Sequence, residues 1–142
     1  YTGEGVEQDF SAARTFFARA AELGNPLARR TYARFLLDRE AKQASDPRAA
    51  EWLLELADGN DAEAMLLLGN LAARGQDGAP DRRTARRWYR KAVAAAPLEP
   101  TLVNEIAWTL AVSTDIELRE PDYARDIMDT LMNGNADARK RP

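Results

Sequence analysis

Glu51 and Glu55 are the two residues of this sequence that come nearest to an acid–base catalytic pattern. Side chains four positions apart lie on one face of a helix, so these carboxylates would be neighbours. General acid–base catalysis also requires a group with a shifted pKa and a reacting group beside it. The chain has no histidine and no cysteine, and its serines, Ser11, Ser45 and Ser113, fall at helix starts or in a loop. We therefore expect no enzymatic activity.

Metal and phosphate sites are the next candidates. Without histidine or cysteine only oxygen ligands remain, and no loop combines the alternating acidic residues and glycine that calcium requires. Gly3-Glu4-Gly5 resembles part of a phosphate-binding loop but lacks the third glycine, a lysine and a preceding strand. We interpret it as a turn. We expect no metal, no cofactor and no small-molecule substrate.

The strongest charge signal lies between Asp81 and Pro97, where ten residues include six cations: Arg82, Arg83, Arg86, Arg87, Arg90 and Lys91. A nucleic-acid contact usually requires uncompensated positive charge and aromatic rings that are free to stack on bases. In a helix, Trp88 and Tyr89 would instead lie on the apolar stripe, and the formal net charge of the chain is −3. Nucleic-acid binding through this helix is therefore kept only as an alternative.

The elements that position these residues follow from an internal repeat. Phe16, Trp52 and Trp88 are separated by intervals of 36 residues, and so are Ala13, Ala49 and Ala85. A fourth copy follows with small insertions, at offsets of 38 and then 39 residues. Within each copy the apolar residues recur every three or four positions, which is the period of a helix.

The repeat predicts an all-α protein of about seven helices, at residues 9–23, 26–38, 46–58, 61–73, 81–95, 100–112 and 121–132. One hairpin of this length cannot bury its apolar stripe, so consecutive hairpins must stack on a shared core. We predict a right-handed α-solenoid of antiparallel helical hairpins. The small residues Ala33, Gly69 and Ala107 would lie where paired helices approach each other closely. The large aromatic residues Phe16, Trp52 and Trp88 would fill the space between hairpins. No apolar run approaches the roughly 20 residues that cross a bilayer.

Residues 1–25 resemble the second half of a Sel-one-like repeat, a relative of the tetratricopeptide repeat, through Gly3, Asp9, Ala13, Phe16, Arg19-Ala20-Ala21 and Gly24. Residues 61–97 fit the same pattern, whereas residues 39–45 depart from it. Residues 98–132 resemble a tetratricopeptide unit with a lengthened turn. The resemblance divides the chain into a partial repeat at 1–25, repeats at 26–60, 61–97 and 98–132, and a linker or tail at 133–142.

The resemblance implies a scaffold that binds a protein or peptide, because arrays of this kind typically hold partners on non-consensus surface residues. In such arrays the first helix of each hairpin lines a concave groove. The register assigns to that groove Arg30, Arg34, Asn70, Arg74, Asn104 and Trp108. Arginine and asparagine suit peptide carboxylates and amides, while Trp108 and Leu66 offer apolar anchors. The alternatives are a solvated face without a partner and a purely architectural array.

The register also gives the basic helix a structural role. The aligned positions predict that Arg87 and Lys91 face Glu51 and Glu55 of the preceding copy. The alignment with the following copy predicts three further pairs, Arg83–Asp122, Arg87–Asp126 and Arg90–Asp129. Each exposed pair contributes only about 0–1 kcal/mol, but a ladder of them would help to fix which repeats stack.

The ends of the chain carry a further expectation. The resemblance implies a fragment of a longer bacterial array, whose ends would be covered by neighbours or by end-to-end self-association. The compartment stays open, although family members are often exported, which points to the periplasm or cell envelope.

Overall fold

The computed structural model describes residues 3–38, 46–75 and 79–140, and every regular element in these ranges is helical. The predicted all-helical repeat solenoid is confirmed. A short 3₁₀ turn at Ile116–Leu118 precedes the last helix. The seven α-helices are α1 Gly3–Glu22, α2 Pro26–Asp38, α3 Pro47–Asp58, α4 Ala62–Arg74, α5 Arg82–Ala95, α6 Pro100–Val112 and α7 Pro121–Lys140. None of the helices in the described ranges is long and apolar enough to cross a bilayer.

Short polar side chains cap the starts of four helices. Asn25, Asp46, Asp61 and Asp81 each accept a hydrogen bond from a backbone N–H two or three residues further on, at 2.9–3.0 Å. These bonds satisfy amide groups that have no partner within the helix itself. The starts of α2, α3, α4 and α5 are therefore set by local chemistry.

The cap residue Asp46 also ties α3 to α2. Its carboxylate accepts a hydrogen bond of 2.6 Å from the hydroxyl of Tyr32, whose ring packs edge-on against Trp52. Burial alone would raise the pKa of Asp46, but hydrogen bonds from Arg48 and Tyr32 outweigh it and hold that pKa below its usual value. The carboxylate therefore stays ionised at neutral pH and holds both helices.

The hairpins share their packing along the array. Helix α4 packs along α5, and α6 packs along α7, while the first helices also contact one another, α2 with α4 and α4 with α6. The larger core cluster runs from Ala33 through Tyr89 to Leu131, and a smaller cluster around Tyr32 and Trp52 lies at the N-terminal end. Each hairpin thus buries its apolar face against the next.

Close packing at one repeat position is confirmed for Gly69. A Cβ added there would lie 2.6 Å from Cε1 of Tyr89, so the ring lies directly on the glycine backbone. Among the large aromatic residues, Trp52 is buried and Trp88 is half-buried. The prediction is wrong for Phe16, which is 67% exposed, because α1 packs mainly on α2 and Phe16 lies on the face turned away from it.

Two helix bounds also differ from the prediction. Helix α1 begins at Gly3, so residues 3–5 are helical and do not form a turn. Glycine disfavours a helix by about 1 kcal/mol relative to alanine, which is too little to stop a helix that has already nucleated. Helix α7 runs to Lys140 and does not end at 132. Gly134 looks like a stop signal, but there the helix passes so close to Leu98 that a Cβ would overlap the leucine side chain.

We expect Gly69→Ala to lower the free energy of unfolding by up to about 2 kcal/mol. Overpacking against Tyr89 costs about 1–3 kcal/mol, while the better helix propensity of alanine returns about 1 kcal/mol. Urea denaturation would measure the difference. Gly59→Ala is the matched control, because its added Cβ would lie at an ordinary 3.4 Å from the Leu56 carbonyl oxygen. Equal stabilities of the two variants would contradict the packing of Tyr89 on Gly69.

Candidate partner-binding site

Arg30 and Arg34 of α2 form ion pairs with residues at the start of α4. Arg30 Nη1 lies 2.6 Å from Asp61 Oδ2, and its Nε lies 3.1 Å from Glu63 Oε2. Arg34 donates two hydrogen bonds to Glu63 Oε1, at 2.9 and 3.0 Å, and lies 3.9 Å from Glu105. Both guanidinium groups therefore join neighbouring first helices within the chain.

Asn70 and Arg74 of α4 have internal partners as well. Asn70 Oδ1 accepts a hydrogen bond of 2.7 Å from the hydroxyl of Tyr89, and Arg74 Nη1 donates one of 2.5 Å to the carbonyl of Leu36. Burial, and then the negative charge of Glu105, raise the pKa of Tyr89, so its hydroxyl stays protonated and keeps donating. These side chains thus hold helices together.

The apolar anchor predicted at Leu66 is wrong. Only 1% of this side chain is exposed, because α4 packs against both α5 and α6 at this level of the array. A buried leucine supports the core, and a partner cannot contact it without displacing a helix.

Asn104 and Trp108 of α6 are placed differently from the other four. Both are exposed, and 71% of Trp108 is open to solvent. They line an apolar cleft of about 530 Å³ between α6 and α7, which we call the α6–α7 cleft. Its other lining residues are Ala107, Ala111, Pro121, Ala124, Arg125 and Met128. At this cleft two of the predicted groove residues border open apolar space.

The structure therefore splits the six predicted residues into two groups. Arg30, Arg34, Asn70 and Arg74 are occupied by internal partners, whereas Asn104 and Trp108 come together at one cleft. Sequence reasoning missed the α7 side of the cleft, Met128 and Arg125. The repeat register could have identified them, since an offset of 39 residues aligns Met128 with Tyr89 and Arg125 with Arg86.

The Sel1 repeat model matches this chain at residues 1–25, 33–61 and 62–96, together more than half of its length. The chain belongs to the Sel1 repeat family. Sel1 repeats are generally protein–protein interaction modules. The α6–α7 cleft lies outside the three matched segments. No curated protein and no solved structure matches the chain significantly.

The basic helix of the third Sel1 repeat, α5, carries its six cations in two rows. Arg82, Arg86 and Arg90 face the connection between α6 and α7. Arg82 lies 2.7 Å from both Asp115 and Glu117, Arg86 donates to the Glu117 carbonyl at 2.7 Å, and Arg90 pairs with Glu120. The predicted partners Glu51, Glu55, Asp122, Asp126 and Asp129 are wrong. On the side of the following copy, the lengthened turn supplies the carboxylates that pair with α5. On the side of the preceding copy, Glu55 pairs with Arg29 of α2.

The second row consists of Arg83, Arg87 and Lys91, which form no ion pair with any described residue. Lys91 Nζ lies 4.8 Å from the centroid of the Trp88 ring, and the Tyr89 ring is fully buried. The row therefore supplies positive charge while Tyr89 is not free to stack on a base. In the described ranges no group of three or more acidic residues lies close enough to hold a metal ion.

We expect Glu120→Ala to lower the free energy of unfolding by about 1 kcal/mol, because this half-buried carboxylate pairs with both Arg86 and Arg90. The difference should shrink at high salt, which screens ion pairs. Urea denaturation at two salt concentrations would measure it. Glu51→Ala is the control, since exposed Glu51 has no ion pair among the described residues. An equal effect of both substitutions would refute the proposed role of Glu120 in stacking.

Proposed function

We propose that this Sel1-repeat protein is a non-enzymatic scaffold that binds a partner protein or peptide in the groove of its first helices, centred on Asn104 and Trp108. The exposure of Trp108 beside an apolar cleft is the observation that carries the proposal. Tryptophan is enriched among the residues that dominate binding energy, and an exposed apolar patch on a soluble protein marks an interaction surface. The membership of the chain in a family of interaction modules supports the same function.

The internal contacts of the other groove residues narrow the contact region. A partner that used Arg30 or Arg34 would have to break their ion pairs with Glu63. A partner that used Asn70 would have to break its hydrogen bond with Tyr89. We therefore expect these residues to contribute less to binding than Asn104 and Trp108, which offer a hydrogen-bonding amide and a large apolar ring without such a cost.

A peptide ligand selected from a displayed library on the immobilised protein tests the proposal. We expect Trp108→Ala to weaken binding of the selected ligand by about ten-fold or more, since truncating a central interface residue costs about 2 kcal/mol of binding free energy. Asn104→Ala should weaken it less, through the loss of one hydrogen bond. Isothermal titration calorimetry would measure both.

The matched control is Leu54→Ala, which removes an exposed apolar side chain from α3, outside the α6–α7 cleft. Its affinity should equal that of the wild type. If the selected ligands bind Trp108→Ala and Asn104→Ala as tightly as the wild type, the groove is not the binding site.

An architectural array that associates with itself is the second candidate. Phe16 on α1 is 67% exposed and Leu23, directly after α1, is 87% exposed, which favours a contact through this end of the array. We expect Phe16→Glu with Leu23→Glu to abolish any concentration-dependent association seen by sedimentation velocity, since the contact would bury two charges. A wild-type chain that stays monomeric as its concentration is raised would exclude this candidate.

A further inference from the structure

The α6–α7 cleft corresponds by repeat register to a surface that is already covered on the preceding hairpin. An offset of 38 residues aligns α4 with α6, and an offset of 39 aligns α5 with α7. The aligned pairs around the cleft are Leu66 with Asn104, Asn70 with Trp108, Ala73 with Ala111, Tyr89 with Met128, and Val93 with Met132. The two hairpins therefore present equivalent faces.

Exposure differs systematically between these equivalent faces. Leu66 is 1% and Val93 is 9% exposed, whereas Asn104 is exposed and Met132 is 64% exposed. Tyr89 is fully buried, but its counterpart Met128 is only half-buried. The face of the α4–α5 hairpin is thus covered, and that of the α6–α7 hairpin is open.

Helix α6 provides the cover on the first of these faces. It contacts both α4 and α5, and its residues Leu102 and Glu105 line the same recess as Leu66. Glu105 also lies close enough for its charge to raise the pKa of Tyr89. An interface between a hairpin face and a following helix is therefore established within this chain.

The covering helices share one pattern of side chains. Helix α6 buries Val103, Ile106 and Leu110 completely. Helix α4, which covers α2 in the same way, has Met65, Leu68 and Ala72 at the aligned positions. In both helices apolar residues stand at positions i, i+3 and i+7, which form a single stripe on a helix.

We propose that the α6–α7 cleft binds an amphipathic helix of a partner protein, which packs across α6 and α7 with large aliphatic residues at i, i+3 and i+7. This inference rests on the proposed scaffold function and names the class of its partner. The partner helix would lie on the α6–α7 face as α6 lies on the α4–α5 face, with its stripe on Ala111 and Met128 and beside Trp108.

Charge adds a second recognition element. Arg86 on the covered face donates to the Glu117 carbonyl and lies 3.7 Å from Glu120, both beyond the C-terminal end of α6. Its counterpart Arg125 lies at the edge of the cleft, is 72% exposed and has one ion pair, at 3.5 Å, with Asp122. The matching partner therefore carries a carboxylate beyond the C-terminal end of its helix.

A folded second copy of this chain does not supply such a helix from its described residues. Val103, Ile106 and Leu110 are buried in α6, and the aligned residues of α4 are buried or half-buried. The exposed residues Phe16 and Leu23 stand at i and i+7, but the charged Arg19 occupies i+3 and Leu23 lies beyond the end of α1. A second folded copy is therefore not the occupant.

The direct probe is a fluorescein-labelled synthetic peptide of residues 99–120 with the substitution W108F, which contains the α6 stripe and the acidic turn. We expect saturable binding to the full chain by fluorescence anisotropy, a gain of peptide helicity by circular dichroism, and a blue shift of the protein's tryptophan emission as Trp108 is covered. A peptide with V103Q, I106Q and L110Q should bind about ten-fold more weakly or not at all, because it lacks the apolar stripe.

Two protein variants form a matched pair for the same titration. Ala111→Glu places a carboxylate on the floor of the cleft and should weaken the probe by about ten-fold or more. Ala94→Glu makes the same change at an exposed alanine of α5 outside the cleft and should leave the affinity unchanged. Both sites are exposed, so thermal denaturation should show both variants folded.

Exchanging the charges of Arg125 and the probe's Glu120 tests the proposal without relying on Ala111→Glu. Arg125→Glu should weaken the probe several-fold, and a probe with E120K should recover most of that loss, since the ion pair is restored with opposite signs. Absence of saturable binding, equal binding of the triple-glutamine peptide, equal binding to Ala111→Glu, or a self-association of the chain that Ala111→Glu abolishes would each overturn the proposal.

The two proposals fail in different ways. Library ligands that depend on Trp108 but bind in an extended conformation, and bind Ala111→Glu normally, would leave the scaffold function standing and refute the helix. Library ligands that ignore Trp108 and Asn104 would refute the groove itself.

Discussion

The contact between Tyr89 and Gly69 is the constraint on which the middle of the array depends. The ring lies on a helix backbone that has no side chain at that point, and the hydroxyl binds Asn70 one residue further on. This contact draws α4 and α5 together and fixes how α5 is turned about its axis. With Tyr89 facing inward, one row of arginines necessarily faces the next connection, and the other row faces solvent.

Stacking along the array combines apolar burial with ion pairs that reach from one repeat to the next. Arg30 and Arg34 hold the start of α4, and Arg86 and Arg90 hold Glu120 at the start of α7. Apolar burial supplies most of the driving force but has little directional preference. The ion pairs add directional preference, because a guanidinium group donates to a carboxylate well only in a few orientations. The same arginine chemistry that suits a peptide ligand is used here to set the register of the repeats.

The fold was predictable because its signals are local and repeated. The 36-residue spacing of Trp52 and Trp88, the caps at Asp46, Asp61 and Asp81, and the helical period each act within a few turns of chain. The predicted α1 and α7 were too short, since a single glycine costs a helix little and Gly134 lies in close contact with Leu98. The candidate site was predictable only in part. The repeat register placed Asn104 and Trp108 on the groove. The α7 side of the cleft depends on the spacing between α6 and α7, which the sequence pattern does not specify.

The sequence by itself determined that this chain is a helical array, which side chains lie on the first helices, and that α5 is amphipathic, because helical periodicity assigns each residue to a face. Only the tertiary structure decided which of those polar side chains have partners. Arg34 and Trp108 occupy aligned positions, yet one is bound to Glu63 and the other is open to solvent. The difference arises because a helix follows on the face that carries Arg34, whereas no described helix covers the face that carries Trp108. Pairing depends on distances between helices, and these are properties of the packed array.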